Sequence, residues 1–209
     1  MSDEQPVTLA AIILSGGESS RMGKPKALLD FGGKPAIARI IETARKAGIS
    51  KILVVVGKHA EVIKKGADLA GCTILINENP ERGQLSSIQL GMSKLDFATD
   101  AALVWPVDCP LVKPEDIKAL AQAYARGRTA LMRIFLPCHG GHRGHPMLVD
   151  IGFRQPFMEL KNGQTARNVI DANPTQVAEV PVASTGVLLD IDTPEDYQTA
   201  VKVWESDEV

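Results

Sequence analysis

Aromatic residues are scarce in this 209-residue sequence: two Trp, two Tyr and five Phe, 4% of the chain. That leaves little material for the stacking platforms that hold single-stranded nucleic acid. Cysteine is sparse too. Cys72, Cys109 and Cys138 stand far apart with no CxxC pair, which fits reduced thiols in a cytoplasm and not a secreted disulfide framework. A surplus of one charge is missing as well. The formal net charge is -2, without the basic excess of a general nucleic-acid binder. The most apolar stretch near the start, Val7 to Leu14, is far short of the roughly 20 residues of a membrane span. The opening MSDEQP is acidic and polar, unlike the basic start of a signal peptide. These absences predict a cytoplasmic protein with neither a nucleic-acid nor a membrane partner.

What is present has the balance of an ordinary globular protein, 44% hydrophobic and 23% charged. The length is enough to bury a sizeable core without metal or disulfide staples. Thr8 to Leu14 and Lys51 to Val56 are nearly continuous apolar runs, as in strands buried on both faces of a parallel sheet. Cys72 to Ile76, Ala101 to Trp105, Thr129 to Leu136, Met147 to Val149, Val177 to Val182 and Val187 to Leu189 read as further strands. Between them, Pro35 to Ala47, Ala60 to Lys65, Gln84 to Leu95, Pro114 to Ala125 and Pro194 to Trp204 read as helices. Apolar residues recur there at 3–4 spacing, and Thr193 caps the last helix. The alternation predicts an α/β fold with a mostly parallel, Rossmann-like sheet between two helical layers. No linker divides the chain. We therefore expect a single domain over 1–209, with residues 1–136 as one part. Residues 137–209, where the strand pattern becomes irregular, form a β-rich part that covers a substrate and ends in the closing helix. In open α/β sheets ligands lie at the carboxyl ends of the strands, so the loops there are the places to look for chemistry.

The first such loop reads LSGGESSRMGKPKALL, Leu14 to Leu29. Gly16 and Gly17 let the backbone turn tightly beside a ligand, and successive amides from Leu14 through Gly17 can form an anion-binding nest. Ser19 and Ser20 add hydroxyls, and Arg21, Lys24 and Lys26 add three cations. From Arg21 to Lys34 there are four cations against one acid, Asp30. Amide donors, a forked guanidinium and mobile ammonium groups suit a triphosphate; the alternative is a surface turn with scattered charges. A Walker A loop is excluded, because five residues separate Gly17 from Gly23 and Pro25 follows Lys24 where a hydroxyl is needed. No GxGxxG fingerprint is present either.

Four other segments carry candidates. Asp108 follows the fourth strand, where a carboxylate can hold a metal between phosphates or cap a turn before Pro110. Asp190 and Asp192 leave the apolar run Val187 to Leu189 two residues apart, on one face if that run is a strand. Either can be a metal ligand or simply a carboxylate ahead of the last helix. The segment NENPERGQLSSIQLG, Asn77 to Gly91, brings Gly83, Ser86 and Ser87 to a helix start. That start can receive a base or phosphate, or be an ordinary capped terminus. Cys138 to His145, CHGGHRGH, places a Cys and three His in eight residues. Zinc binding, contact with a substrate and an uninvolved loop all remain open for it.

The string Leu14-x-x-Gly17-x-x-x-Arg21-Met22-Gly23-x-Pro25-Lys26 resembles the signature loop of the MobA-like nucleotidyltransferases. With Gly32-Gly33-Lys34-Pro35, Val107-Asp108-Cys109-Pro110, Gly144-His145-Pro146 and Asp190-Ile191-Asp192-Thr193-Pro194, the chain most resembles their molybdenum cofactor cytidylyltransferase branch. The resemblance implies the nucleotidyltransferase (GT-A-like) sheet, with NTP binding in residues 1–136 and the acceptor in 137–209. It also implies a reaction in which a phosphate of the acceptor attacks the α-phosphate of an NTP and releases pyrophosphate. Arg21, Lys26 and Asp108 would be catalytic, with Mg²⁺ held by Asp108 and by Asp190, which the resemblance to related transferases favours, or Asp192. Arg143, Gly144 and His145 would face a molybdopterin-type acceptor, and a recipient molybdoenzyme would be the partner. Gly16-Gly17 stands where many cytidylyl members carry Ala-Gly, and double glycine is familiar from guanylyl relatives. CTP and GTP, and other phosphorylated acceptors, thus stay open. A non-catalytic module that binds and delivers the cofactor is the competing class.

Overall fold

The computed structural model describes residues 7–17, 22–127 and 131–207. The chain opens with β1 (Leu9–Ser15). A single 3-10 turn over Lys26–Leu28 leads into a small hairpin, β2 (Asp30–Phe31) and β3 (Lys34–Pro35). Then α1 (Ala36–Lys46), β4 (Lys51–Val56), α2 (Ala60–Gly66) and β5 (Thr73–Ile76) follow in alternation. After α3 (Gln84–Ser93), β6 (Ala101–Pro106) and α4 (Pro114–Gly127) complete the regular half. The rest contributes β7 (Ile134–His139), β8 (His142–Arg143), β9 (Met147–Asp150), α5 (Gln155–Met158), α6 (Ala166–Ala172), β10 (Val177–Pro181) and α7 (Pro194–Asp207).

The main sheet has the order β10-β7-β9-β6-β1-β4-β5, with β8 paired to β7. Neighbours are parallel except that β9 runs antiparallel to both β6 and β7, and β8 antiparallel to β7. The expected mostly parallel α/β architecture is therefore present. Side chains alternate across β1 as strand geometry requires. Ala11 and Ile13 pack toward Ile37, Ile40 and Ile41 of α1 and Ile117 and Leu120 of α4. Ala10, Ile12 and Leu14 pack toward Ile88 and Met92 of α3, Phe157 of α5 and Val169 of α6. Two apolar layers thus enclose the sheet, and each wholly buried Ile contributes on the order of 1.5–3 kcal/mol. A third cluster joins Phe31 and Leu29 to Ile191 and Ala200, with Tyr197 and Trp204 of α7 against it. Among the described residues no helix is long and apolar enough to cross a membrane.

The structure differs from the expected elements in three places. The strand expected over Thr129 to Leu136 starts at Ile134 and runs on to His139, with residues 129 and 130 outside the described ones. The Gly/His-rich stretch Cys138 to His145 is a hairpin instead of a loop: Cys138 pairs with Arg143 and His139 with His142, turning on Gly140 and Gly141. The apolar run Val187 to Leu189 is no strand. Thr185–Leu188 is a 3-10 turn, started by Ser184 Oγ accepting from Gly186 N at 3.0 Å. The reason is a close crossing of chains, with Gly144 packed against the Val187 carbonyl and Gly186 against that of Leu111. The part after residue 136 supplies the expected extra strands, and also α5 and α6, which periodicity did not disclose.

Candidate functional site

The chain passes from β1 outward to β4 on one side and returns to β6 on the other, so a crevice opens beyond the carboxyl ends of β1 and β6. A cavity of about 300 Å³ lies in this crevice. Leu14, Ser15, Gly16 and Gly17 from the end of β1, Lys26, Gly83, Ser87, Asp108 and Asp192 all line it. Nine residues singled out in the sequence therefore meet in one space. Pro80, Gln84 and Val107 line it from segments already singled out, and His59, which carried no sequence signal, lines it as well.

Lys26 is held on its 3-10 turn with Ala27 buried beneath it. Its Nζ donates to Asp192 Oδ1 at 2.6 Å and to Asp108 Oδ2 at 3.2 Å. The Lys26 side chain is only 15% exposed. Burial by itself pulls its pKa down, but the Asp192 hydrogen bond and the Asp108 charge outweigh that, and the net direction is upward. Lys26 is thus a firmly charged ammonium facing the cavity.

Asp190 and Asp192, two apart, diverge because no strand holds them on one face. Asp192 turns to Lys26, while Asp190 Oδ1 accepts from the Cys109 thiol at 2.9 Å. Burial, then the nearby Asp108 and Asp190 charges, push that thiol well above its ordinary range, so it stays an S–H donor. Ile191 N donates to Asp108 O at 3.0 Å and ties this segment to the end of β6. Donor atoms of Asp108, Cys109 and Asp190 lie within 4.8 Å of one another. The oxygen donors of Asp108, with Asp192 or Asp190, fit a hard divalent cation such as Mg²⁺ or Mn²⁺.

Beneath the glycine turn, Asn77 Nδ2 donates to Ser86 Oγ at 2.8 Å and to Ser87 Oγ at 3.0 Å. Ser86 Oγ in turn bonds the carbonyls of Gly83 and Asn79. Ser86 is therefore a brace of the α3 start and does not line the cavity, whereas Ser87 does. Gly16 is required here by close approach: a Cβ on it would fall 2.8 Å from Ser87 Oγ. Lys24 lies 5.5 Å from the Tyr197 ring centroid, also outside the cavity lining. Ser19, Ser20 and Arg21 lie outside the described residues.

A second cavity, about 630 Å³, adjoins the first; Gln84 and Pro106 line both. Arg143, Gly144 and His145 line it, with an apolar floor of Ile88, Val104, Leu136 and Met147 and with Arg167 of α6 at the rim. Arg143 pairs with Glu179 at 2.8 Å. Gly144 also has a packing reason, since a Cβ there would come within 2.2 Å of the Val187 oxygen. His139 Nδ1 meets Val182 O at 3.1 Å. Among the described residues the Cys138–His145 side chains form no metal-ligating group.

The profile of the MobA-like NTP transferase domain matches residues 11–178. The bifunctional protein GlmU of Rhizobium leguminosarum bv. trifolii is 36% identical over 123 residues, 57% of this chain and 27% of that protein. The aligned part thus spans about a quarter of that relative. Nicotine blue oxidoreductase of Paenarthrobacter nicotinovorans is 26% identical over 200 residues, 93% of this chain and 97% of that one. Rv0371c of Mycobacterium tuberculosis superposes with a TM-score of 0.82 at 19% identity, covering 94% of this chain and 98% of its own, and is also known in complex with manganese. The domain match takes in β1, the glycine turn, Lys26, Asp108 and the Gly/His hairpin, and with it the chain belongs to the MobA-like NTP transferase family.

Proposed function

We propose that this enzyme transfers a nucleoside monophosphate from an NTP, CTP foremost, to the phosphate of a molybdopterin-type acceptor. An acceptor phosphate oxygen attacks the α-phosphorus, the bond to the bridging α,β-oxygen breaks, and pyrophosphate leaves. The observation that carries the reading is the pair of adjoining cavities. One has glycine-turn amides, an ammonium and two carboxylates for a triphosphate. The other has an apolar floor and an Arg- and His-bearing rim for an anionic second substrate. Nucleotidyl transfer asks for positioning and charge neutralisation more than for a covalent nucleophile, and this arrangement offers both.

In this reading the Gly16 and Gly17 amides bind phosphate oxygens, and Lys26 holds negative charge on the triphosphate. Arg21, Ser19 and Ser20 act from the same loop. Gly83 and Ser87 border the nucleoside, and His145 and Arg143 orient the acceptor. A divalent metal, Mg²⁺ foremost, would be held by Asp108 with Asp192 or Asp190 and would neutralise phosphate charge. The recipient of the product would be a molybdoenzyme.

Pyrophosphate release with CTP, GTP, ATP and UTP, with Mg²⁺ and the molybdopterin acceptor, tests the proposal. Release with CTP and acceptor together is expected. Release with GTP alone among the four would shift the base assignment, and none with any NTP would overturn the activity. The match to nicotine blue oxidoreductase over 93% of this chain and 97% of that one favours a second reading, an oxidoreductase. Oxidation of a reduced nicotinamide by the same preparation, without pyrophosphate release, would support it. Within the leading reading, Lys26→Ala is expected to lower turnover by roughly 10²-fold or more, the range for one lost transition-state donor. Steady-state kinetics checks this, and near-normal turnover would remove Lys26 from the mechanism.

A further inference from the structure

Two carboxylates facing one cavity repel each other unless a cation stands between them. Here the chain supplies that cation itself. Lys26 lies 82 residues from Asp108 and 166 from Asp192 in sequence, yet its Nζ bridges them at 3.2 and 2.6 Å. A divalent cation seeks the same carboxylate oxygens, with more charge and a stronger demand for them. The ammonium and the metal are therefore competitors for one position, and the metal can take it only if the ammonium finds other anionic oxygens. A triphosphate brings those oxygens.

We propose that Lys26 is a built-in counter-cation of the nucleotide-free site. Its handover from Asp108 and Asp192 to phosphate oxygens makes divalent-metal binding conditional on the nucleotide. The inference rests on the nucleotidyltransferase reading only in taking these carboxylates as metal ligands. It has a reciprocal side, because whatever the nucleotide does for metal affinity the metal does for nucleotide affinity. It also separates two effects of removing the ammonium: triphosphate should bind less tightly, and bare metal more tightly.

The test measures Mn²⁺ bound to the full-length chain by electron paramagnetic resonance of the free ion, first with no nucleotide. Lys26→Met, which keeps the length of the stem, is expected to bind Mn²⁺ about 10-fold more tightly than the unaltered chain, within the usual range of coupling between sites. Lys26→Arg keeps the charge and should stay close to the unaltered chain. Adding Asp192→Asn to Lys26→Met should remove the gain. With tripolyphosphate or CTP present, the unaltered chain should hold Mn²⁺ beyond what the phosphates chelate in a protein-free control. That arm also serves if Lys26→Met does not fold.

Equal Mn²⁺ affinity of Lys26→Met and the unaltered chain without nucleotide overturns the proposal. So does Mn²⁺ held by the unaltered chain equally with and without tripolyphosphate. No Mn²⁺ bound by any variant under any condition overturns the metal assignment and this inference together. The measurement needs no turnover. Coupled binding in a chain that releases no pyrophosphate would leave this inference standing and remove the proposed activity.

Discussion

The sharpest residue-level question is posed by Gly16, the position where the double glycine departs from the Ala-Gly of many cytidylyl members. In the structure the difference is read by Ser87, whose Oγ is fixed by Asn77 and would sit 2.8 Å from an alanine Cβ. A contact that short forces Ser87, only 3% exposed, out of its place. Gly16→Ala is therefore expected to cost about 1 kcal/mol or more, the lower range for overpacking, and Gly16→Ala with Ser87→Ala to recover most of it. A denaturant-melt double-mutant cycle measures the coupling. Strict additivity would mean that the loop moves instead of the serine. The glycine and Lys26 were legible in the sequence because backbone permissiveness and clustered cations have local signatures. The Lys26 partnership with Asp192 was not, since no spacing rule reaches across 166 residues. Nor was the parting of Asp190 from Asp192, which depends on the Cys109 thiol.

At the scale of elements, the long helices and buried strands were legible because each shows its period over several turns or a full strand length. Ile37, Ile40, Ile41 and Ala44 of α1 are all buried, as their spacing announced. The misreadings have a common cause. Val187 to Leu189 is as apolar as a strand, but its shape is set by the chain crossing at Gly144 and not by a ladder. In α6 only Val169 is fully buried, too little to make a helical period. The β7–β8 hairpin is built from Gly and His, residues that read as loop by composition. The same helix α1 carries an acid-sensitive tie. Glu42 is paired with Lys34 of β3 and with Lys46, and the Lys34 hydrogen bond first, then that of Lys46, lowers its pKa to about 2 from 4.5. A depressed carboxylate contributes stability that is present above pH 4.5 and is lost as pH falls toward 2. All three side chains are well exposed, so screening keeps the contribution below about 1 kcal/mol. Glu42→Gln should flatten the pH dependence of the melting temperature between pH 4.5 and 2 without changing it much at neutral pH. An unchanged slope would show that the pair does not persist in solution.

Across the whole molecule, near-neutral charge excludes a general polyanion binder but not a local anion site. The cavity shows how the balance is arranged. Lys26 of the first loop and the carboxylates of Asp108 and Asp192 meet at one rim of the sheet, so opposite charges cancel in the total while forming a local charged site. Aromatic poverty is also visible there: among the described residues no Phe, Trp or Tyr lines either of the two adjoining cavities, and a flat ligand meets backbone, small polar groups, aliphatic walls and the imidazoles of His59, His142 and His145.

Strand β9 has one more consequence, and it concerns time. Among the described residues it is the only member of the main path that runs against both neighbours, and it joins β6, about 45 residues behind it, to β7. Until it pairs, β7 and β10 have no hydrogen-bonded ladder to the β1–β4–β6 core and meet it through α4, where Tyr124 packs edge-on against Phe135. Loop closure over such separations slows folding. In a pulse-labelling hydrogen-exchange experiment during refolding, amides of β1, β4 and β6 should gain protection before those of β7 and β10, with β9 arriving between them. Most of the wall of the smaller cavity would then take shape before Asp192 arrives to complete it, and the part it shares with its neighbour at Gln84 and Pro106 would be the surface on which the second half is laid down.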